Sequence, residues 1–276
     1  MTLPNFLIVG AQKCGTTSLH DILNEHPQAN MSKVKEIRFF NTPKKYAKGL
    51  EYYKSYFDKP DSNHRVTGES SPGYICSPGI HKLIHQDLGN IKIVIILRDP
   101  IKRAFSQYWD NRRQLKETMS ESEIIDNYLE AEYSKNRKGY FSRGVYYSDV
   151  KKYIELFGEK NVHIIILENL IKNQTSELQK LYNFLGIDKD KGLQKLPKPS
   201  NSAMVWKNPF YSYFLNNSSK TKYIPSKARR LFFFGKQETF KYDLPEQSHI
   251  DKLKEFYKPW NKKLEQLTSI NLDAWL

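Results

Sequence analysis

The stretch that most constrains the fold is residues 5–26, NFLIVGAQKCGTTSLHDILNEH. Residues 5–9 form a short, β-branched apolar run, which predicts a buried strand. Residues 10–15 form a loop bounded by glycines, and from Thr16 apolar side chains recur at helical spacing. A strand, a glycine loop and a helix in this order make an anion site, because the free N–H groups of the helix start and the helix dipole both favour negative charge.

The loop keeps the glycine spacing of the nucleotide-triphosphatase P-loop, G-x-x-x-x-G-K-[ST], but its lysine stands elsewhere. Lys13 lies inside the loop, and Thr16 follows Gly15 directly. The loop alone leaves two interpretations open, because single motifs have many false matches. One is a phosphate-binding loop, and the other is a glycine turn that joins a strand to a helix while Lys13 is solvated.

Composition bounds the class of protein. A chain of 276 residues with 39% hydrophobic and 13% aromatic residues predicts a folded globular protein, and we expect one domain over residues 1–276. The chain has 44 Lys and Arg against 30 Asp and Glu, which gives a net charge of +14. This excess suits an anionic partner but does not choose among a nucleotide, a polyanionic sugar, nucleic acid and an acidic membrane.

Cysteine usage and hydropathy predict the compartment. Cys14 and Cys76 are the only cysteines, and no C-x-x-C or Cys/His cluster suggests a metal. The N-terminus lacks a basic region followed by a long apolar run, and no stretch approaches the ~20 apolar residues of a membrane span. We therefore expect a soluble cytoplasmic protein with no membrane span and no bound metal.

Strands alternate with helices along the chain. Residues 91–97, IKIVIIL, predict a strand buried on both faces of a parallel sheet. Shorter runs predict further strands at 65–68 and 162–167, the latter also buried. Helical patterns cover 46–57, 80–88, 100–115, 120–134, 147–157, 174–185 and 245–267, the last with a break at Pro259. The alternation predicts an α/β fold, a P-loop-type doubly wound parallel sheet flanked by helices.

A second candidate site follows the strongest predicted strand. Asp99 and Pro100 suit the cap and the first turn of the next helix. Arg98 therefore lies at the carboxyl end of a central strand, where open α/β sheets bind ligands. Ser106 lies two turns into that helix, and a guanidinium with a hydroxyl can hold a phosphate. The alternative is a salt bridge of Arg98 at the helix cap and a solvent-facing Ser106.

These motifs resemble those of sulfotransferases, which use 3′-phosphoadenosine 5′-phosphosulfate (PAPS). KCGTT at 13–17 resembles their phosphosulfate-binding loop, and VIILRDPIKRAFSQYW at 94–109 resembles the segment that holds the 3′-phosphate. RGVY at 143–146, KPSN at 198–201 and the end of the chain resemble later family segments, so the likeness covers nearly the whole chain. The resemblance implies PAPS as donor, the 3′,5′-bisphosphate (PAP) as product and no metal. The donor-binding residues that it implies are Lys13, Cys14, Gly15, Thr16, Thr17, Ser18, Arg98, Ser106, Arg143, Tyr146, Lys198 and Ser200.

KEIRFF at 35–40 resembles the K-E-x-x-F-F segment of the heparan sulfate sulfotransferase branch, whose glutamate is the catalytic base. The resemblance implies that Glu36 is the base here. A carboxylate suits this role because the attacking hydroxyl or amine must lose a proton, and Lys35 and Arg38 would keep Glu36 ionised. The alternative is a surface salt bridge of alternating charges.

The segment ESSPGY at 69–74 matches the family pattern E-K-[ST]-P-x-Y, except that Ser70 replaces the lysine. The role of that position is therefore open. If Glu36 is not the base, Glu69 and His64 are the next candidates. No function is assigned to residues 203–244.

We therefore predict a sulfotransferase that moves a sulfuryl group in line from PAPS to a hydroxyl or amine. Lys13 would neutralise the leaving phosphate, and Glu36 would take the proton. Because no export signal is found, we expect a small intracellular metabolite or natural product as acceptor, with a glycan possible and no nucleic-acid partner. The alternatives are a P-loop small-molecule kinase and a non-catalytic polyanion-binding protein on the same scaffold. The sequence does not decide the acceptor, O- against N-sulfation, or the oligomeric state.

Overall fold

A five-stranded parallel sheet forms the centre of the computed structural model, which describes residues 2–113, 116–117, 119–131, 139–194 and 245–275. The strands are β1 (Phe6–Gly10), β2 (Ala29–Met31), β3 (Val66–Ser70), β4 (Lys92–Leu97) and β5 (Val162–Ile166). The helices are α1 (Thr16–Asn24), α2 (Pro43–Tyr46), α3 (Gly49–Lys54), α4 (Ile80–Leu88), α5 (Pro100–Arg113), α6 (Glu121–Ala131), α7 (Tyr147–Phe157), α8 (Leu167–Lys172), α9 (Gln174–Leu185) and α10 (Gln247–Thr268). Short 3-10 turns lie at Ser142–Gly144, Glu159–Asn161 and Asp273–Trp275.

The strand order is β2-β3-β1-β4-β5, and every pair is parallel. The chain first builds the sheet to one side of β1 and then crosses to the other side with β4 and β5. The order therefore reverses between β1 and β4, which is where doubly wound sheets form a ligand crevice at the carboxyl ends of their strands. The predicted fold class is confirmed.

Burial differs between the centre and the edge of this sheet. All residues of β1 and β3 are buried, as are residues 93–97 of β4. The first three residues of β5 are only half-buried, because β5 has one strand neighbour in the described part of the chain. The prediction of a buried strand is thus confirmed for β4 and wrong for three of the five residues of β5.

Two further expectations need correction, and one strand was not predicted. Residues 46–57 are not one helix, since α2 ends at Tyr46 and α3 begins at Gly49, whose φ is 76°. The helix α10 continues through Pro259, because buried side chains such as Leu253 and Leu264 anchor it on both sides. The three-residue strand β2 was not predicted, being too short to show a period.

None of the described helices combines the length and the apolarity that a membrane span requires. The predicted donor-binding residues Lys198 and Ser200, and the unassigned residues 203–244, lie outside the described residues.

Candidate active site

The loop after β1 presents an open helix start. Helix α1 begins directly after Gly15, whose φ is 89°, and no side chain caps it. A β-carbon on Gly15 would meet Leu167 Cδ1 at 3.0 Å in a conformation that L-residues avoid, so glycine is needed here. The N–H groups of the first turn, residues 16–18, have no acceptor within the helix. The arrangement fits a phosphate group.

The side chain of Lys13, which belongs to this loop, forms an ion pair with helix α5. Its backbone is left-handed, with a φ of 67°, and its Nζ lies 3.2 Å from Asp110 Oδ2. Asp110 is on α5, four residues after Ser106, so both side chains lie on the helix face toward the loop. Sequence reasoning missed Asp110, because the periodicity of α5 does not show which of its faces meets the loop.

Arg98 reaches the same loop from the end of β4. Its Nη1 donates to the backbone oxygen of Lys13 at 3.4 Å. Asp99 caps α5 as predicted, because its Oδ1 accepts the N–H of Ile101 at 2.9 Å. The N–H of Asp99 donates to Glu168 Oε1 at 3.1 Å, which fixes the strand end that carries Arg98. Arg98 is therefore placed beside the loop, and among the described residues no ion pair joins it to the helix cap.

Arg143 and Tyr146 approach the loop from the turn before α7. Arg143 Nη1 donates to the side-chain oxygen of Gln12, while its buried Nε has no hydrogen-bond partner among the described residues. The Tyr146 hydroxyl donates to the Arg98 backbone oxygen at 2.9 Å and lies 3.7 Å from Cys14 Sγ. Burial raises the pKa of Cys14 to about 11, so the thiol is protonated. The buried side chains of Cys14 and Tyr146 thus support the loop from beneath.

The segment 35–40 presents Glu36 on a tight turn at the end of β3. Glu36 and Arg38 both have left-handed backbones, with φ of 59° and 56°. The Glu36 N–H donates to the Ser70 backbone oxygen at 2.9 Å, which ties the turn to the strand. Phe39 and Phe40 are buried, so the aromatic pair anchors the segment in the core.

Glu36 lies in an open, mostly basic pocket. The pocket is lined by Lys35, Glu36, Arg38 and Lys45. Lys35 Nζ lies 3.3 Å from Glu36 Oε1, and Arg38 binds Oε2 through both Nε, at 3.1 Å, and Nη2. Partial burial raises the pKa of Glu36, but the Arg38 hydrogen bonds and the charges of Lys35 and Arg38 outweigh it, so the pKa lies below its usual value. The carboxylate is ionised at neutral pH, as a general base must be.

The loop and the Glu36 turn are neighbours through the segment that follows β3. The N–H groups of Ser71 and Ile75 donate to the backbone oxygens of Ile8 and Val9 in β1, at 3.1 and 2.9 Å. A β-carbon on Gly73 would lie 3.2 Å from the Asn41 side chain and 3.8 Å from the Gln12 side chain. Residues 71–77 therefore lie between the glycine loop after β1 and Glu36, the predicted base.

The remaining candidate residues fit an acid–base role less well. Glu69 is fully buried, and burial raises its pKa against the hydrogen bonds of three surrounding hydroxyls. His64 is paired with Asp61 at 2.8 Å in a surface turn before β3. Ser70 is fully buried, and its Oγ has no hydrogen-bond partner within the described residues, so it supplies no charge in place of the family lysine.

A metal site is not formed by the described residues, since no group of three or more His, Cys, Asp or Glu side chains there could hold an ion. A reaction without metal stays a prediction.

Comparisons with known proteins give a consistent result. The family model described as the sulfotransferase domain matches residues 3–268. The mouse heparan sulfate glucosamine 3-O-sulfotransferase 5 is 28% identical over 282 residues, covering 98% of this chain and 74% of that protein. The membrane-associated sulfotransferase kil1 of Dictyostelium discoideum is 38% identical over 122 residues, 44% of this chain and 26% of its own length. The crystal structure of a sulfotransferase from Alicyclobacillus acidocaldarius has a TM-score of 0.73 at 26% identity, covering 100% of this chain and 99% of that one.

Proposed function

Since the chain belongs to the sulfotransferase domain family, we propose that it transfers a sulfuryl group from PAPS to a hydroxyl or amine of an acceptor. The family, the enzyme class and the likeness to the heparan sulfate branch, all predicted from motifs, are confirmed. The observation that carries the proposed mechanism is the contact of Arg98 Nη1 with the Lys13 backbone, beside the uncapped start of α1. It gathers cationic and N–H donors where a bisphosphate nucleotide would bind.

The donor site divides between the two motifs. Backbone N–H groups of residues 15–18 would hold the 5′-phosphate, which suits the conformation of Gly15 and the uncapped helix. Arg98 and Ser106 would hold the 3′-phosphate. The buried, unpartnered Nε of Arg143 supports a further anion contact next to Gln12. Roles for Lys198 and Ser200 rest on the sequence resemblance alone.

PAPS, when bound, supplies the sulfuryl group and a phosphate leaving group. Lys13 would release Asp110 and place its charge on the leaving phosphate, which stabilises negative charge as it develops. Glu36 would accept the proton of the attacking hydroxyl or amine at its carboxylate. Lys35 would stay beside Glu36 and keep it ionised until the proton arrives. The chain's own cations suffice for this scheme, and we propose that no metal takes part.

Two classes of acceptor remain as proposals. A small metabolite was predicted from the sequence, and a glycan is the second candidate. The glycan is favoured by Lys35, Arg38 and Lys45 around Glu36, which suit an acceptor that carries anionic groups, and by the names of relatives such as the 3-O-sulfotransferases. We also propose that residues 1–276 form one domain, which the match over 3–268 supports, while the cytoplasmic location stays a prediction.

The donor assignment is tested by calorimetry with PAP, and adenosine 5′-phosphate serves as the control that lacks the 3′-phosphate. We expect PAP to bind more tightly, and equal affinity for both would refute the assignment of Arg98 and Ser106. Transfer is tested with sulfur-labelled PAPS against two panels, small hydroxyl and amine compounds and heparan-type oligosaccharides. Binding of heparin with no affinity for PAP would instead identify a polyanion-binding protein without catalysis.

A further inference from the structure

A buried carboxylate lies beneath the Glu36 turn and has only neutral partners. Glu69, near the end of β3, is fully buried. Its Oε1 accepts hydrogen bonds from the hydroxyls of Tyr53 and Tyr74 at 2.7 and 2.8 Å, and its Oε2 accepts one from Ser71 at 2.8 Å. No Lys, Arg or His of the described residues forms an ion pair with it. Burying a carboxyl group without a counter-ion is costly, so this arrangement requires an explanation.

Two links join Glu69 to the turn that carries Glu36. The backbone N–H of Ile37 lies close enough to Glu69 to lower the pKa of its carboxyl group. Ser71 forms the second link, because its Oγ donates to Glu69 and accepts the backbone N–H of Arg38 at 3.0 Å. The turn residues on both sides of Ile37 have left-handed backbones, which persist only where the surroundings hold them.

Two more links reach the aromatic end of the same segment. The Tyr74 hydroxyl donates to Glu69 and accepts the backbone N–H of Phe40 at 3.4 Å. The ring of Tyr53, whose hydroxyl also donates to Glu69, stacks on Phe39 with centroids 4.5 Å apart and planes at 13°. Residues 37–40 are therefore all connected to one carboxylate.

The geometry gives these hydrogen bonds a direction. A hydroxyl has one proton, and a backbone N–H only donates. Ser71 and Tyr74 each accept a backbone N–H at their oxygen, from Arg38 and Phe40, and each directs its one proton at Glu69. An amide in place of the carboxylate would bring its own donors into the cluster, and at least one buried N–H or O–H would lose its acceptor.

We propose that Glu69 is a positioning residue for the sulfuryl-transfer reaction: it fixes the backbone turn that presents Glu36 and its partner Arg38. This inference rests on the proposed function, in which Glu36 is the base. It also replaces the sequence-based alternative in which Glu69 itself takes the proton, because a fully buried carboxylate does not reach an acceptor. The sequence gives no sign of this role, because the four links join residues that are up to 34 positions apart.

The test compares Glu69→Gln in the native protein and in the Glu36→Gln variant. With PAPS and an acceptor from the labelled screen, we expect Glu69→Gln to lower kcat by roughly 10-fold or more, because a small misplacement of a reacting group is costly. The Kd for PAP should stay within about twofold, since the donor contacts lie on other elements. In the Glu36→Gln background the same change should have little further effect, because a residue that acts through another is not additive with it.

A second readout needs no acceptor. NMR of protein labelled with 13C at the glutamate carboxyl follows the titration of Glu36, which is assigned by its loss in Glu36→Gln. The charged groups that face Glu36 are Lys35, Arg38 and Lys45. We expect Glu69→Gln to raise the pKa of Glu36, because a loosened turn weakens its pair with Arg38. An unchanged titration, or an equal loss of kcat in both backgrounds, would overturn the proposal.

Controls separate positioning from general loss of stability. Tyr53→Phe removes a hydroxyl from Glu69, while Tyr182→Phe removes one from an equally buried tyrosine bonded to the Leu193 backbone at 2.8 Å. When kcat is compared at the same fraction of folded protein, we expect Tyr53→Phe to lower it and Tyr182→Phe to leave it unchanged. If Glu69→Gln fails to fold, Tyr53→Phe and Ser71→Ala answer the same question with the carboxylate in place. If Glu36→Gln alone keeps full turnover, the proposed base is wrong, and the NMR titration still decides whether Glu69 holds the turn.

Discussion

In the proposed mechanism the ion pair between Lys13 and Asp110 opposes donor binding, so its removal gives a quantitative prediction. In the structure Lys13 Nζ lies 3.2 Å from Asp110 Oδ2, and the two side chains are 31% and 24% exposed. The proposed mechanism requires Lys13 to leave Asp110 for a phosphate. Asp110→Asn should therefore tighten PAP binding, because the pair need not be broken and a negative charge near the phosphate is lost.

The exposure of the pair sets the size of the effect. At this separation the Coulomb attraction is several kcal/mol at an effective dielectric of about 20, but desolvation and side-chain ordering reduce partly exposed pairs to about 1 kcal/mol. That value corresponds to roughly a fivefold lower Kd for PAP. The gain should shrink as salt rises, because the side chains are open to screening.

Calorimetry with PAP at two salt concentrations measures this effect. Asp126→Asn is a matched control, since Asp126 pairs with Lys252 at the same distance of 3.2 Å on the α6 and α10 surface. Both variants change the net charge equally, so a gain seen in both would reflect overall charge. An unchanged or weaker affinity of Asp110→Asn would refute the proposal that Lys13 moves from Asp110 to the donor.

Four further outcomes are expected. Arg98→Ala should weaken PAP binding by about 2 kcal/mol, from loss of a charge-assisted pair, and leave adenosine 5′-phosphate unaffected in calorimetry. Lys13→Ala should lower the single-turnover rate more than it weakens acceptor binding, and an unchanged rate would make Lys13 a surface charge. Glu36→Gln should lose roughly 10²-fold in kcat with PAP affinity intact, a result contradicted by normal turnover of an unactivated alcohol. Arg38→Gln should raise the pKa of Glu36 and so move the acid limb of kcat/KM to higher pH, whereas an unmoved limb would show that another group titrates.

Local signals made much of the fold predictable. The helices α7 and α9 have the predicted bounds, because Gly158 and Gly186 follow their last residues and both adopt positive φ, at 80° and 79°. The strand β4 is predictable because its run of apolar, mostly β-branched residues is nearly continuous, which is typical of a strand buried on both faces of a parallel sheet. Such signals lie within a few residues of the feature that they predict.

Contacts between distant segments were not predictable in the same way. The pairing of Lys13 with Asp110 joins two elements almost a hundred positions apart, and α5 periodicity alone does not show which face meets the loop. Arg103 is fully buried and donates to the Tyr140 backbone oxygen, although arginine side chains are mostly exposed in proteins. Tertiary packing decides these positions, and a single sequence holds no record of it.

The proposed mechanism assigns donor binding and proton removal to two separate groups of residues, and this has a physical consequence. Lys13 and Arg98 converge from β1 and β4, whereas Glu36 is held through hydrogen bonds to the end of β3. Because the two groups share no direct hydrogen bond in the described residues, losses of donor affinity and of basicity should add when variants from each are combined. Glu69 and Glu36 lie on one connected network, so their effects should overlap. If the effects of variants add between the Lys13–Arg98 group and Glu36, but overlap between Glu36 and Glu69, the segment after β3 divides the donor-binding residues from the residues that remove the proton.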